Sequence, residues 1–304
     1  LAPWAALRTP EGRYAIEEYQ LEYAIRGQTT PPPDTIATNP AVVMADPNFD
    51  LTPTQAESSL RAIYRGAPVP RTVAVRSVGK LSDIKSVPRL PATAAEARAI
   101  TPSLKALTGR APTVYTQHNA LESVFRRLRQ PEILVLSTHG FFLEGSQDRN
   151  GDSALEEENM LQNPLLRCGL LLAGCNQRES ERRPTSEEGV LTGLEIIGAD
   201  LRGAKLVVLS ACETGLGQVR SNEGVAGLRQ AFQLAGAETV VSTLWVIPDR
   251  ESAVLMSAFF ENLVGGQSYA EALTLAQRQL IAQLREKREA AHPAKWAAYT
   301  ITQK

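Results

Sequence analysis

The stretch Lys205-Leu-Val-Val-Leu-Ser-Ala-Cys-Glu-Thr-Gly215 constrains the fold more than any other part of the chain. Leu206, Val207, Val208 and Leu209 form an unbroken apolar run. That is the pattern of a strand buried on both faces, as in the middle of a parallel sheet. The run stops abruptly at small and polar residues, so Cys212 stands just past the carboxyl end of a buried strand. Open α/β sheets place their ligands there. A second run, Glu132-Ile-Leu-Val-Leu-Ser-Thr138, stops the same way at His139-Gly140. A thiol and an imidazole at two such ends are the parts of a cysteine nucleophile site.

The rest of the chain alternates strand and helix patterns. Residues 1–40 read as an irregular segment, with a half-exposed strand at Tyr14–Tyr23, and belong to the same domain as 41–304. Ala41–Ala45 is a buried strand stopped by Asp46-Pro47. Thr54–Tyr64 reads as a helix opened by a Thr cap and closed by Gly66. Residues 67–91 carry one possible strand at Thr72–Val75. Thr93–Leu107 is helical, with Thr93 and Glu96 at capping-box spacing and a break expected near Ile100 because of Pro102. A βαβ unit follows: strand Thr113–Thr116, helix Asn119–Arg129 and the strand ending at His139. The polar stretch 143–163 is too long for a plain connector and reads as a lid or disordered loop. Cys168–Ala173, Leu191–Ile197, Glu223–Leu234, Thr239–Leu244, Arg250–Leu263 and Tyr269–Lys287 read as strand, helix, helix, strand, helix and helix. The expected architecture is α/β, a mostly parallel sheet with helices on both faces.

Bulk composition excludes several functions. The 304 residues carry 32 Lys+Arg against 33 Asp+Glu, a net charge of −1, so no field exists to hold nucleic acid. No apolar run approaches the length of a membrane span. Three cysteines at irregular spacing point to a reducing, cytoplasmic setting rather than a disulfide framework. Leu1 is not a start methionine, and the chain reads as a piece of a longer protein.

Neighbouring strands lie roughly 5 Å apart, so residues projecting from adjacent ends can flank one scissile carbonyl. The thiolate attacks and the imidazolium protonates the departing amine. Backbone N–H groups of Gly140 and Cys212 are the candidate oxyanion donors. Rival readings are weaker. Cys168 and Cys175 lack the spacing of a zinc site, and no metal or other cofactor is expected. Asp148–Asn159 resembles an EF-hand loop, but Ser153 replaces its glycine and Asn159 its closing glutamate. Gly215-Leu-Gly217 lacks the third glycine of a dinucleotide fingerprint. His118 reads as an exposed turn residue, and His292 as one that orders the aromatic tail.

The chain resembles the CHAT domain, a peptidase branch of the caspase-like fold related to separase. The resemblance rests on Ser137-Thr-His-Gly140, Leu209-Ser-Ala-Cys-Glu-Thr-Gly215, Gly236-Ala-Glu-Thr-Val-Val-Ser-Thr-Leu-Trp245 and His292-Pro with Trp296-Ala-Ala-Tyr299. Pro3-Trp-Ala-Ala-Leu7, Asn163-Pro-Leu-Leu-Arg167 and Leu191-Thr-Gly-Leu-Glu195 match as well. It implies a Cys212–His139 dyad and an endopeptidase acting on protein or peptide substrates, regulated by TPR-type repeats or a partner. The family's Trp-Pro-Val-Asp-Asp turn is here Trp245-Val-Ile-Pro-Asp249, which keeps one acid. Trp245 and Asp249 are assigned to substrate contact. Asp46 is the candidate acid for the residue before the cut, since related peptidases with an acid there take Arg or Lys; the alternative is a plain Asp-Pro turn. Glu213 shapes the same pocket or caps the next turn. The competing function is a catalytically silent scaffold that binds a peptide or partner in the same cleft.

Overall fold

The structure is a computed structural model that describes residues 3–24, 37, 39–65, 86–143, 163–177, 188–210, 212–213 and 223–304. For Ala24, Cys212, Glu213 and residues 223–225 the description is of the backbone alone. In chain order the first half contains β1 (Tyr23–Ala24), β2 (Val42–Pro47), α1 (Pro53–Tyr64), α2 (Pro91–Thr108), β3 (Thr113–Gln117), α3 (Glu122–Arg126) and β4 (Ile133–Ser137). Next come β5 (His139–Phe142), β6 (Cys168–Leu171), β7 (Val190–Thr192), α4 (Gly193–Ile197), β8 (Leu206–Leu209) and β9 (Cys212–Glu213). The chain closes with α5 (Glu223–Leu234), β10 (Thr239–Thr243), α6 (Asp249–Val264), α7 (Tyr269–Glu286) and β11 (Tyr299–Gln303).

Among the described residues the main sheet has seven strands in the order β1-β11-β10-β8-β4-β2-β3. β3, β2, β4, β8 and β10 pair in parallel, while β11 joins β10 antiparallel. Side chains alternate along a strand, so each apolar run feeds two cores. Val43, Val135, Val208 and Val241 face a layer containing Ile100, Leu255, Phe259, Leu273 and Leu280 from α2, α6 and α7. Met44, Leu134, Val207 and Val240 face the opposite layer with Leu60, Val124, Phe125, Ile196 and Phe232. That two-sided burial is why these strands have no polar face. N-terminal residues Ala5, Tyr14 and Ile16 lie in the first of these cores. A second sheet, made by the described strands β7-β6-β5-β9, stands at the carboxyl ends of β4 and β8.

Several local expectations need correction. Within Tyr14–Tyr23 there is a 3₁₀ turn at Ala15–Glu17, where the Glu17 carboxylate accepts from the Tyr14 N–H at 2.8 Å, and only Tyr23 enters a strand. The cap of α1 is Thr52, not Thr54, and the helix ends with Arg65 in the left-handed region. α2 begins at Pro91, so Thr93 and Glu96 sit inside it and do not form its cap. It also runs unbroken through Pro102. A proline there costs about 3 kcal/mol, and the buried Ala97, Ile100 and Leu104 offset that loss. α3 is only Glu122–Arg126, and β11 is a strand the sequence reading missed. The Thr72–Val75 strand, the cap Gly66, the 144–162 stretch with its EF-hand-like loop, and Gly215-Leu-Gly217 lie outside the described residues.

Several sequence markers are explained by local geometry. Thr192 caps α4 and Glu195 completes its capping box, while Asn163 accepts from Leu165 N–H at 3.0 Å to cap the turn Pro164–Leu166. Gly193 is required by close approach: a Cβ there would lie 2.8 Å from Leu165 O and 3.0 Å from Cys168 Sγ.

Candidate functional site

β4 ends at Ser137 and β8 at Leu209, and these two strands are neighbours with Leu136 opposite Leu209. Each chain then continues into the small sheet, where His139 opens β5 and Cys212 opens β9. β5 and β9 pair in parallel with His139 directly opposite Cys212 and Gly140 opposite Glu213. Residues opposite each other in a parallel pair are separated by about one strand spacing, roughly 5 Å. The two residues singled out from sequence are therefore register partners.

His139 is 3% exposed and fixed from two sides. Its ring stacks on Phe49, with centroids 5.2 Å apart and an interplanar angle of 29°. Its Nε2 lies 2.8 Å from the carbonyl oxygen of Pro88. A carbonyl only accepts, so Nε2 carries the proton, and the neutral ring keeps its lone pair on Nδ1. Burial pushes the imidazole below its usual range, while the bond to Pro88 works in the opposite direction.

The carbonyl of Pro88 belongs to a strap, residues 87–90, tied down on both sides. Before it, Val87 N–H donates to Asn176 Oδ1 at 2.9 Å, and Asn176 Nδ2 donates back to Val87 O at 3.0 Å. After it, Arg89 makes a two-pronged ion pair with Asp46, at 2.6 and 3.3 Å. The carboxylate of Asp46 is 2% exposed and sits at a backbone with φ of 46°. Sequence reasoning offered Asp46 as a substrate acid; here it engages Arg89 and holds the strap over His139.

Beneath both strand ends lies a polar hub missed at the sequence level. Glu96, 3% exposed, accepts from Ser137 Oγ at 3.0 Å and from Ser252 Oγ at 3.1 Å, and Ser210 also hydrogen-bonds it. Tyr299 Oη lies 2.9 Å from Ser210 Oγ and 2.8 Å from Ser252 Oγ. Ser137 and Ser210 each stand two residues before His139 and Cys212, so one carboxyl ties the approaches to both. Burial pushes the Glu96 carboxyl above the usual carboxylate range, and the serine hydroxyls offset part of that rise. The available signal was the pair of serines at matching offsets in Ser137-Thr-His and Ser210-Ala-Cys.

The hub floors a cavity of about 80 Å³ that opens beside His139. Asp249, the first residue of α6, lines it together with Val246 and Ile247. Trp245 is not among the lining residues and donates through Nε1 to Ala294 O at 3.3 Å, toward the tail. Gly140 is buried in β5, and Glu213 is placed only by its register opposite it. Cys168 and Cys175 are buried core thiols, and burial pushes Cys168 up to about 12. His292 caps the turn Pro293–Lys295 by accepting from Ala294 N–H at 3.2 Å. No group of three or more His, Cys, Asp or Glu side chains converges among the described residues in a way that could hold a metal ion. No described helix is long and apolar enough to cross a membrane.

Comparison with known proteins adds a family and a context. The family model described as the CHAT domain matches residues 1–304, the whole chain. Two curated relatives carry the name tetratricopeptide repeat protein 28. The mouse protein is 32% identical over 119 residues, or 39% of this chain and 5% of its own length. The human protein is 30% identical over 118 residues, or 39% of this chain and 4% of its own length. The similarity thus spans a small part of either relative.

Proposed function

The chain belongs to the CHAT domain family, and from that premise we propose that it is a cysteine endopeptidase acting through Cys212 and His139. The observation that carries this reading is the pairing of β5 with β9, with the imidazole residue opposite the thiol residue. His139 takes the Cys212 thiol proton on Nδ1, and the thiolate attacks the carbonyl carbon of the scissile peptide. Backbone N–H groups of Gly140 and Cys212 hold the oxyanion. Protonated His139 gives its proton to the departing amine as the C–N bond breaks, leaving a thioester on Cys212. Water then attacks the thioester while His139 takes the proton, and the acid product and free thiol are released. The neutral ring with its proton on Nε2 leaves Nδ1 for these transfers, and the Pro88 carbonyl orients it. TPR-type regulation is proposed from the names of the relatives alone.

The test is covalent labelling. A peptide chloromethyl ketone is expected to give one adduct per chain, on Cys212. Cys168, 1% exposed and with its thiol pushed up to about 12, is expected to stay un-ionised and unmodified in the folded protein near pH 8. Equal, slow labelling of Cys168, Cys175 and Cys212 favours the silent scaffold instead.

The strap supplies a second expectation. Arg89→Ala leaves the Asp46 carboxylate buried without its ion pair and frees the Pro88 carbonyl. Because Arg89 itself is 43% exposed, the stability loss is discounted to about 1–2 kcal/mol. The rate of Cys212 labelling is expected to fall about tenfold, with Arg89→Lys recovering part of it. An unchanged rate in Arg89→Ala removes the strap from the mechanism.

A further inference from the structure

The side chains beneath the two strand ends make more hydrogen-bond contacts than their hydroxyls can supply with protons. Glu96 meets Ser137 at 3.0 Å, Ser252 at 3.1 Å and also Ser210. Tyr299 meets Ser210 at 2.9 Å and Ser252 at 2.8 Å. These are five contacts among five buried side chains. Each hydroxyl brings one proton, so Ser137, Ser210, Ser252 and Tyr299 bring four. An ionised carboxyl brings none. One contact would then set two bare oxygens against each other in a buried site, which is costly.

A protonated carboxyl supplies the missing donor. The order of donation then closes on itself: Glu96 to Ser210, Ser210 to Tyr299, Tyr299 to Ser252, and Ser252 back to Glu96. Ser137 donates into this circuit from outside it. Every contact holds one proton, and the members of such a chain strengthen one another.

The charges nearby agree with a neutral acid. α2, which carries Glu96, packs against β2, β4 and α6. β4 presents Ser137, and α6 presents Ser252 and Asp249, whose like charge pushes the carboxyl further up. Asp46 on β2 is taken by Arg89, and β11 presents the Tyr299 phenol. His139 lines the same cavity and is itself held toward its neutral form by burial. Among the described residues no lysine or arginine acts on Glu96.

The circuit sits where the two approaches leave the main sheet. Ser137 ends β4 and Ser210 follows β8, and beyond them the chain enters the second sheet. We propose that Glu96 is a positioning residue that carries a proton at neutral pH, and that the circuit this proton closes fixes the separation of the His139 and Cys212 approaches. The inference rests on the peptidase reading for what that separation serves, and not for the proton itself.

The experiment has two readouts. Infrared spectra at pH 7 are expected to show the carbonyl band of a protonated carboxylic acid, shifted in heavy water, in wild-type protein and not in Glu96→Gln. The second readout is alkylation of Cys212 by a peptide chloromethyl ketone, at a temperature where circular dichroism shows each variant folded. Glu96→Ala is expected to lower the limiting rate at saturating reagent about tenfold, with the half-saturating concentration little changed. Glu96→Gln is expected to recover most of that loss. Its neutral amide gives protons to Ser210 and Ser252 and keeps an oxygen for Ser137, a replacement that suits a neutral acid and not an ionised one. A missing band, a band retained in Glu96→Gln, an unchanged rate in Glu96→Ala, or no recovery in Glu96→Gln overturns the proposal. Failure of the peptidase reading looks different: the band behaves as expected, while Cys212 of wild-type protein reacts no faster than Cys168 and Cys175.

Discussion

Cys212→Ala is expected to lower peptide cleavage by at least about 10³-fold, with the thermal midpoint of the protein essentially unchanged. The thiolate is the bond-forming group in the proposed reaction, and alanine offers nothing in its place. What remains is the effect of binding and oxyanion donors, which in hydrolases of this logic still exceeds water by about 10³–10⁴. His139→Ala is expected to cost a similar factor, and the double variant little more than either, because the two act as a unit. The histidine change also removes a ring that stacks on Phe49 and bonds Pro88, so it carries a stability loss of about 1–3 kcal/mol. Rates should therefore be compared at a temperature where circular dichroism shows both variants folded. Cleavage of the same bond by Cys212→Ala protein would sink the assignment.

Trp296→Ala is expected to destabilise the fold by about 3–5 kcal/mol, the largest loss from any single truncation considered. Trp296 is fully buried, and its indole N–H donates to Ala291 O at 3.1 Å. Its ring meets Tyr14 edge-on at 4.9 Å, and its carbonyl accepts from Gln277 Nε2 at 3.1 Å. Tyr14 Oη donates to the same Ala291 carbonyl at 3.0 Å, so one indole joins the N-terminal segment, α7 and the tail. Removing it leaves a cavity that a rigid layer cannot close. A thermal midpoint lower by about 5–8 °C is the expected readout, with Trp296→Phe closer to wild type. The effect should reach the site as well, since the tail leads into β11 and Tyr299 reaches the serines around Glu96. A variant as stable as wild type would show that the tail is not part of the cooperative unit.

The buried position of Arg229 illustrates what a linear reading does not supply. In α5 it looks like one more surface cation, yet it is 2% exposed and donates to Ser242 at 2.5 Å, Thr302 at 3.3 Å and Thr300. Burial lowers its guanidinium to about 10, so it stays charged at neutral pH. Glu96 shows the same limit of a local reading. Its spacing from Thr93 suggested a capping box, but the helix starts earlier at Pro91 and the carboxyl turns inward to the serines. Local spacing reports what a side chain can reach in its own helix. It does not report which neighbour arrives from elsewhere in the chain.

The amino-acid sequence by itself determined the parallel core and the family, and it singled out His139 and Cys212 as candidates. Buried strands must be apolar on both faces, and abrupt breaks in such runs are visible without coordinates. Only the tertiary structure decided that those two residues open paired strands of a second sheet, that Asp46 is taken by Arg89, and that Glu96 sits beneath both approaches. Those outcomes depend on contacts between residues tens of positions apart, and a hydrogen-bonding group carries no mark of its distant partner.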